Sequence, residues 1–216
     1  MSKQIFLKRN AWLSDEDYSL EIPDNWTVHT LGSQKLPDIG DIQINLQLDS
    51  PIGCPPLPQL AGLGKNAIIL VDDIFRPTPA HRIIESVISR VIQGGIKTEN
   101  IRILIACGTH RKATEEEIRL KVGEDIVGSF AVLNHDCKAD CLFVGKTSLG
   151  TPVSINKYVL ESDLKIGISS VYPHPVAGFS GGSKILALGA SGLETIRVMH
   201  DSVAGVHQRT GNIDHA

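Results

Sequence analysis

The chain has 216 residues, 42% hydrophobic and 21% charged, with a formal net charge of -3. That length and composition fit one domain, or one with a small extension, and exclude a disordered chain. The slightly acidic balance lacks the basic footprint of a nucleic-acid binder, aromatics at 5% are thin for a base-stacking platform, and no apolar run nears the about 18 residues of a membrane span.

Residues 1–60 read as an irregular, partly β extension packed on the core. Pro23, Pro37, Pro51, Pro55, Pro56 and Pro58 punctuate it, and Ser19–Ile22 and Gln43–Leu48 alternate as edge strands do. The opening MSKQIFLKRNAW carries no apolar signal-peptide core, so a cytoplasmic protein is expected, with Cys54, Cys107, Cys137 and Cys141 as reduced thiols. Cys137 and Cys141 have no second pair nearby, which makes a zinc site a poor reading of them.

Residues 61–216 read as an α/β domain. AIILVDD (67–73) is a short apolar run ending in carboxylates, as a buried parallel strand does. Thr78 is expected to cap a helix with Pro79 at its first position. Ile83, Ile84, Val87, Ile88, Val91 and Ile92 then recur at helical spacing until Gly94-Gly95. IRILIAC (101–107) is the next strand, completing a βαβ unit. Thr114-x-x-Glu117 is a capping box opening another helix. Strands are expected at 130–133, 142–144, 153–155 and 163–171. The fold class is α/β, a mostly parallel sheet with flanking helices behind an irregular/β N-terminal segment.

In an open α/β sheet, ligands sit beyond the carboxyl ends of the strands. Four such ends carry unusual chemistry here: Asp72-Asp73 running to Arg76, Gly108 to Arg111, Asn134-His135-Asp136, and Tyr172-Pro173-His174. The segment GFSGGSK (178–184) can bring backbone N–H groups close to an anion. It departs from a phosphate-binding Walker loop, because Ser183 replaces the second Gly and Ile185 the Ser/Thr that holds magnesium. No GxGxxG follows a strand. From the residues alone, Asp72 reads as a turn cap or a site carboxylate, His135 as a loop histidine or a catalytic one, and His200 as an ordinary helix-end histidine. Arg111 reads as a surface partner of Glu115 or Glu116, and His29, His81, His207 and His215 as surface residues.

Together, DDIFRPTP (72–79), GTHR (108–111), NHD (134–136), YPHPVAGFSGGSK (172–184) and LETIRVMH (193–200) resemble the N-terminal domain of the nickel-pincer-nucleotide lactate racemase family. The resemblance implies a racemase or epimerase of small 2-hydroxy acids. It also implies a pyridinium mononucleotide cofactor whose two thio-acid arms hold nickel, making residues 61–216 a cofactor-binding domain. By motif, Lys184 matches the lysine that tethers the cofactor and His200 the protein ligand to nickel. Asp73, Ile74, Phe75 and Arg76 match the D-x-x-R segment that binds cofactor and substrate, and His110 and His174 match the two acid/base histidines. The implied reaction removes the hydroxyl proton with one histidine while hydride passes from C2 to the cofactor, and returns hydride to the other face.

Phe75 stands where the family commonly has Thr, and Leu188 where it commonly has Pro. The resemblance also implies a second, C-terminal α/β domain; that domain or a partner subunit is expected to complete the cleft. The alternative reading is a non-catalytic nucleotide- or phosphate-binding module, or a partner-docking domain.

Overall fold

The computed structural model describes residues 3–8, 16–29, 37–175 and 177–201. The chain divides into two compact units, Met1–Gly40 and Asp41–Ala216. In the first, β1 (Lys3–Lys8) and β2 (Asp17–Ile22) pair antiparallel, Lys3 opposite Ile22 and Lys8 opposite Asp17. The expected edge strand at Ser19–Ile22 is part of this hairpin.

The second unit opens on a helix where alternation predicted a strand. α1 (Gly40–Asp49) covers Gln43–Leu48. Alternating apolar residues also place Ile44 and Leu48 one helical turn apart, and these two are its half-buried apolar positions. Tertiary contacts decide the outcome: the Arg90 guanidinium donates to Asp49 Oδ1 and to Asn45 Oδ1 and O, at 2.8, 3.0 and 3.2 Å. α2 (Leu57–Ala61) follows.

Four strands form the main sheet: β3 (Ala67–Asp72), β4 (Ile101–Ala106), β5 (Ala131–Asn134) and a strand at Leu164–Ile168. The last becomes β8, because β6 (Cys141–Lys146) and β7 (Pro152–Asn156) come before it as a separate antiparallel ribbon. The sheet order is β5-β4-β3-β8 and every pairing is parallel. All four carboxyl ends therefore share one edge. β3 is buried along its whole length, which is why its sequence is continuously apolar rather than alternating.

Both faces of the sheet are covered. Ile69, Val71, Ile103 and Ile105 pack against α3 (Ile84–Gln93), α4 (Glu115–Val122) and α5 (Glu124–Ser129). Ile68, Leu70, Leu104 and Ala106 pack against Val159 of α6 (Lys157–Glu161), Ile185 and Ala190. The described residues end with the two-residue pair β9 (Pro173–His174) and β10 (Gly178–Phe179), then α7 (Lys184–Ala187) and α8 (Leu193–Asp201).

Several local expectations hold. Gly94 caps α3 and Gly95 turns the chain away at φ 103°. Thr114 and Glu117 form the reciprocal capping box of α4. The Thr78 cap does not form. A 3-10 turn, Ala80–Arg82, intervenes before α3, neither helix has a side-chain cap, and the Thr78 hydroxyl bonds elsewhere. His174 lies on the β9–β10 pair rather than at the tip of a core strand, since β8 ends at Ile168. His207 and His215 lie outside the described residues. Among the described residues no helix is long and apolar enough to cross a membrane.

Candidate active site at the carboxyl edge of the sheet

β3 delivers Asp72 and Asp73 to the sheet edge, both buried. Thr78 donates its hydroxyl to Asp72 Oδ2 at 2.5 Å and accepts from the Ser170 N–H at 2.8 Å, tying the β3 loop to the chain beyond β8. The Lys121 ammonium lies 2.8 Å from Asp72 Oδ1 in an ion pair. It also donates to the Asp73 and Arg76 carbonyls, at 3.0 Å each.

Asp73 splits its carboxylate between two tasks. Oδ1 accepts from the Phe75 N–H at 3.0 Å, closing a tight turn, and Oδ2 lies 2.5 Å from His110 Nδ1. A carboxylate at Nδ1 favours the tautomer with its proton there and leaves Nε2 as the basic nitrogen. Phe75 meets the His110 ring edge-on, centroids 5.3 Å apart at 85°. Arg111 rides over Phe75 at 5.4 Å and forks onto Glu117, at 2.7 and 2.6 Å, rather than onto Glu115 or Glu116. Glu117 wins because the capping box already turns its carboxylate back over the helix start. The fork drops the Glu117 carboxyl to about 2.

Arg76 donates to the Tyr172 hydroxyl at 2.6 Å, and the Tyr172 backbone is pinned by Ser180. His174 Nδ1 accepts the Ala177 N–H at 3.1 Å, so a neutral ring carries its proton on Nε2. Burial, then the charges of Lys184, Arg76 and His200, hold His174 below the ordinary histidine range. Lys184 is the first residue of α7, and burial followed by the Arg76 charge lowers its amine to about 8. His200 directs Nδ1 to the Ile196 carbonyl at 2.7 Å, which leaves Nε2 with a lone pair for a ligand.

These groups share one open cleft, lined by Asp73, Arg76, His110, His174, Lys184 and His200 among others. Its floor needs small residues. Gly181 sits at φ 75°, and a Cβ there would meet the Ser170 carbonyl at 2.7 Å. A Cβ on Gly189 would stand 2.4 Å from the Ile185 carbonyl. Gly189 O accepts the Gly108 N–H at 3.0 Å, joining the β4 tip to the segment after α7. Leu188 closes α7 with its N–H on the Lys184 carbonyl at 3.0 Å, a bond proline lacks.

Ile74 and Phe75 are not among the lining side chains: Ile74 is buried in the core and Phe75 leans on His110. His135 is 1% exposed and fully used, Nε2 on the Ser191 carbonyl and Nδ1 toward the Asn156 amide, both at 3.0 Å. It is a structural histidine, and burial holds it below its ordinary range. Asn134 brackets the Ala113 N–H and carbonyl, and Asp136 pairs with Lys112 at 2.7 Å. Sequence reasoning missed Lys121 and the site roles of Thr78 and Ser170. A lysine late in the EEEIRLKV helix carries no sign of burial.

The chain matches the lactate racemase N-terminal domain family over residues 13–211. It is 36% identical over 176 residues to a lactate racemase of Lactiplantibacillus plantarum, covering 80% of this chain and 41% of that one. It is 33% identical over 187 residues to a lactate racemase of Thermoanaerobacterium thermosaccharolyticum, covering 85% and 44%. It thus spans less than half the length of these curated relatives. Among solved structures it resembles the lactate racemase apoprotein from T. thermosaccharolyticum, with a TM-score of 0.78 at 27% identity, covering 98% of this chain and 50% of that one. The fold, a parallel sheet flanked by helices with a cleft at its carboxyl edge, and the sequence match agree: the chain belongs to the lactate racemase N-terminal domain family.

Proposed function

We propose that this chain is the cofactor-holding part of a 2-hydroxyacid racemase that uses a nickel-pincer nucleotide. The observation that carries the reading is the convergence of Arg76, His110, His174, Lys184 and His200 on one cleft. The residues present fit the group. Lys184 offers an amine whose pKa of about 8 leaves part of it unprotonated near neutrality, as an acyl link to a cofactor arm requires. His200 offers an oriented imidazole nitrogen, a donor suited to nickel. Among the described residues no group of three or more His, Cys, Asp or Glu can hold a metal, so most of the donor set falls to the cofactor.

When bound, the nucleotide would supply a reversible acceptor for the hydride on the substrate's C2. The chain's own residues handle the rest. Arg76, held by Tyr172, keeps further guanidinium donors for a carboxylate. His110 Nε2, with Asp73 behind the ring, takes the hydroxyl proton of one enantiomer. His174 would do so for the other, once its lone pair on Nδ1 leaves the Ala177 N–H. In an interconversion the histidine opposite to the one that took the proton gives one as the hydroxyl re-forms, and exchange with solvent resets the pair. The other wall of the cleft would come from the length of the relatives that this chain does not span, or from a partner subunit.

Intact-mass measurement of the chain produced beside the cofactor-synthesis enzymes tests the reading. A mass increment lost in Lys184→Ala is expected; an unmodified wild-type chain would overturn it.

A further inference from the structure

Lys121 is a cation beside the site that faces away from the cleft. Its side chain is 7% exposed, and it is absent from the lining residues. It approaches the β3 loop from behind, on α4, and meets three oxygens: Asp72 Oδ1 at 2.8 Å and the Asp73 and Arg76 carbonyls at 3.0 Å. The two carbonyls accept hydrogen bonds from the ammonium, and the Asp72 carboxylate adds an ion pair without a hydrogen bond. The two carbonyls bracket a turn closed by the Arg76 N–H on the Asp73 carbonyl at 3.1 Å and by the Phe75 N–H on the Asp73 side chain.

A buried ion pair is a poor source of stability, because desolvation offsets the attraction and an apolar side chain of the same volume often serves as well. What a lysine does here that a methionine does not is grip two carbonyls of one turn. That turn carries Asp73, which faces His110, and Arg76, which faces the cleft.

We propose that Lys121 is a positioning residue: by holding the Asp73–Arg76 turn from behind, it sets the Asp73 carboxylate against His110 and so selects the His110 tautomer. The consequence for turnover rests on the reading of His110 as an acid/base group. The positioning itself does not.

The test is long-range proton–nitrogen NMR of the His110 ring in the full chain, recorded where the ring is neutral. Wild type is expected to show a single tautomer protonated at Nδ1. Lys121→Met is expected to show a mixture of both tautomers while distant core amides keep their positions. Lys121→Arg, which restores donors, is expected to recover most of the single tautomer. Asp72→Asn combined with Lys121→Met avoids leaving a buried carboxylate alone, and covers the case in which the single variant does not fold. A folded variant without the ammonium that keeps the pure Nδ1–H tautomer would overturn the proposal. So would loss of the fold in every variant, which would make Lys121 structural only. The readout needs neither cofactor nor substrate, so a mixed tautomer in Lys121→Met beside a wild-type chain that acquires no Lys184 adduct would overturn the functional reading and leave this proposal standing.

Discussion

The Asp73 carboxylate stands 2.5 Å from Nδ1 of His110, and the same carboxylate accepts the Phe75 N–H through its other oxygen. One side chain thus closes a backbone turn and orients a ring that lies on a different strand end. Asp73→Asn keeps the shape but replaces the acceptor that favours the Nδ1–H tautomer. Under the proposed function, in cofactor-loaded protein that also carries the other wall of the cleft, assayed for interconversion of 2-hydroxyacid enantiomers, it is expected to lower kcat by roughly 10²–10⁴-fold, the usual range for general acid–base catalysis. KM is expected to change far less.

His110 is also held from the side. Phe75 meets its ring edge-on, Arg111 covers Phe75, and Glu117 fixes Arg111. Edge-to-face pairs contribute about 0.5–1.5 kcal/mol. Phe75→Ala is expected to lower stability by about that amount plus the lost burial, and to broaden the His110 ring signals in NMR. Arg111→Ala is expected to give a smaller version of the same broadening, because it removes only the outer layer.

The Lys184 amine, lowered to about 8 by burial and by Arg76, is the reactive form only when deprotonated. Its modification by an amine-reactive acylating reagent is therefore expected to rise about tenfold from pH 6 to pH 7 and to level off above pH 8. Arg76→Ala removes a positive neighbour and is expected to move the whole curve to higher pH. Rates measured by peptide mapping across pH check both statements.

His135 and His174 both have folded-state pKa values below the ordinary histidine value. The unfolded chain then binds more protons than the folded one between those depressed values and about 6.5. Stability from these groups is present above about pH 6.5 and is lost as pH falls through that window. Thermal unfolding is expected to show Tm falling from pH 7.5 toward 5.5, with a shallower slope in His135→Gln. His135→Ala at pH 7.5 is expected to cost about 1–3 kcal/mol for each buried partner left unpaired, the Ser191 carbonyl and the Asn156 amide.

β3 was legible because a strand covered on both faces must be apolar throughout, and the α4 cap because its two residues bond each other locally. The strand-end chemistry was legible for the same topological reason: parallel strands put their carboxyl ends on one edge. α1 was not legible, since alternating apolar residues satisfy both a strand and one turn of helix until Arg90 decides. Thr78 read as a cap because nothing local reveals that Asp72 and Ser170 compete for its hydroxyl. Lys121 was invisible because its partners lie 45 to 49 residues away and two of them are backbone carbonyls. The His135 reading, open between a loop and a catalytic role, needed the buried Asn156 and Ser191 to settle it.

The central claim is that Lys184 and His200 hold one nickel-bearing nucleotide in the cleft they share with His110, His174 and Arg76. The most direct test is the nickel content of the chain purified after production beside the cofactor-synthesis enzymes. The account predicts nickel stoichiometric with wild-type chain, and its loss in both Lys184→Ala and His200→Ala. Wild-type chain without nickel, or nickel retained at full stoichiometry in both variants, would contradict it.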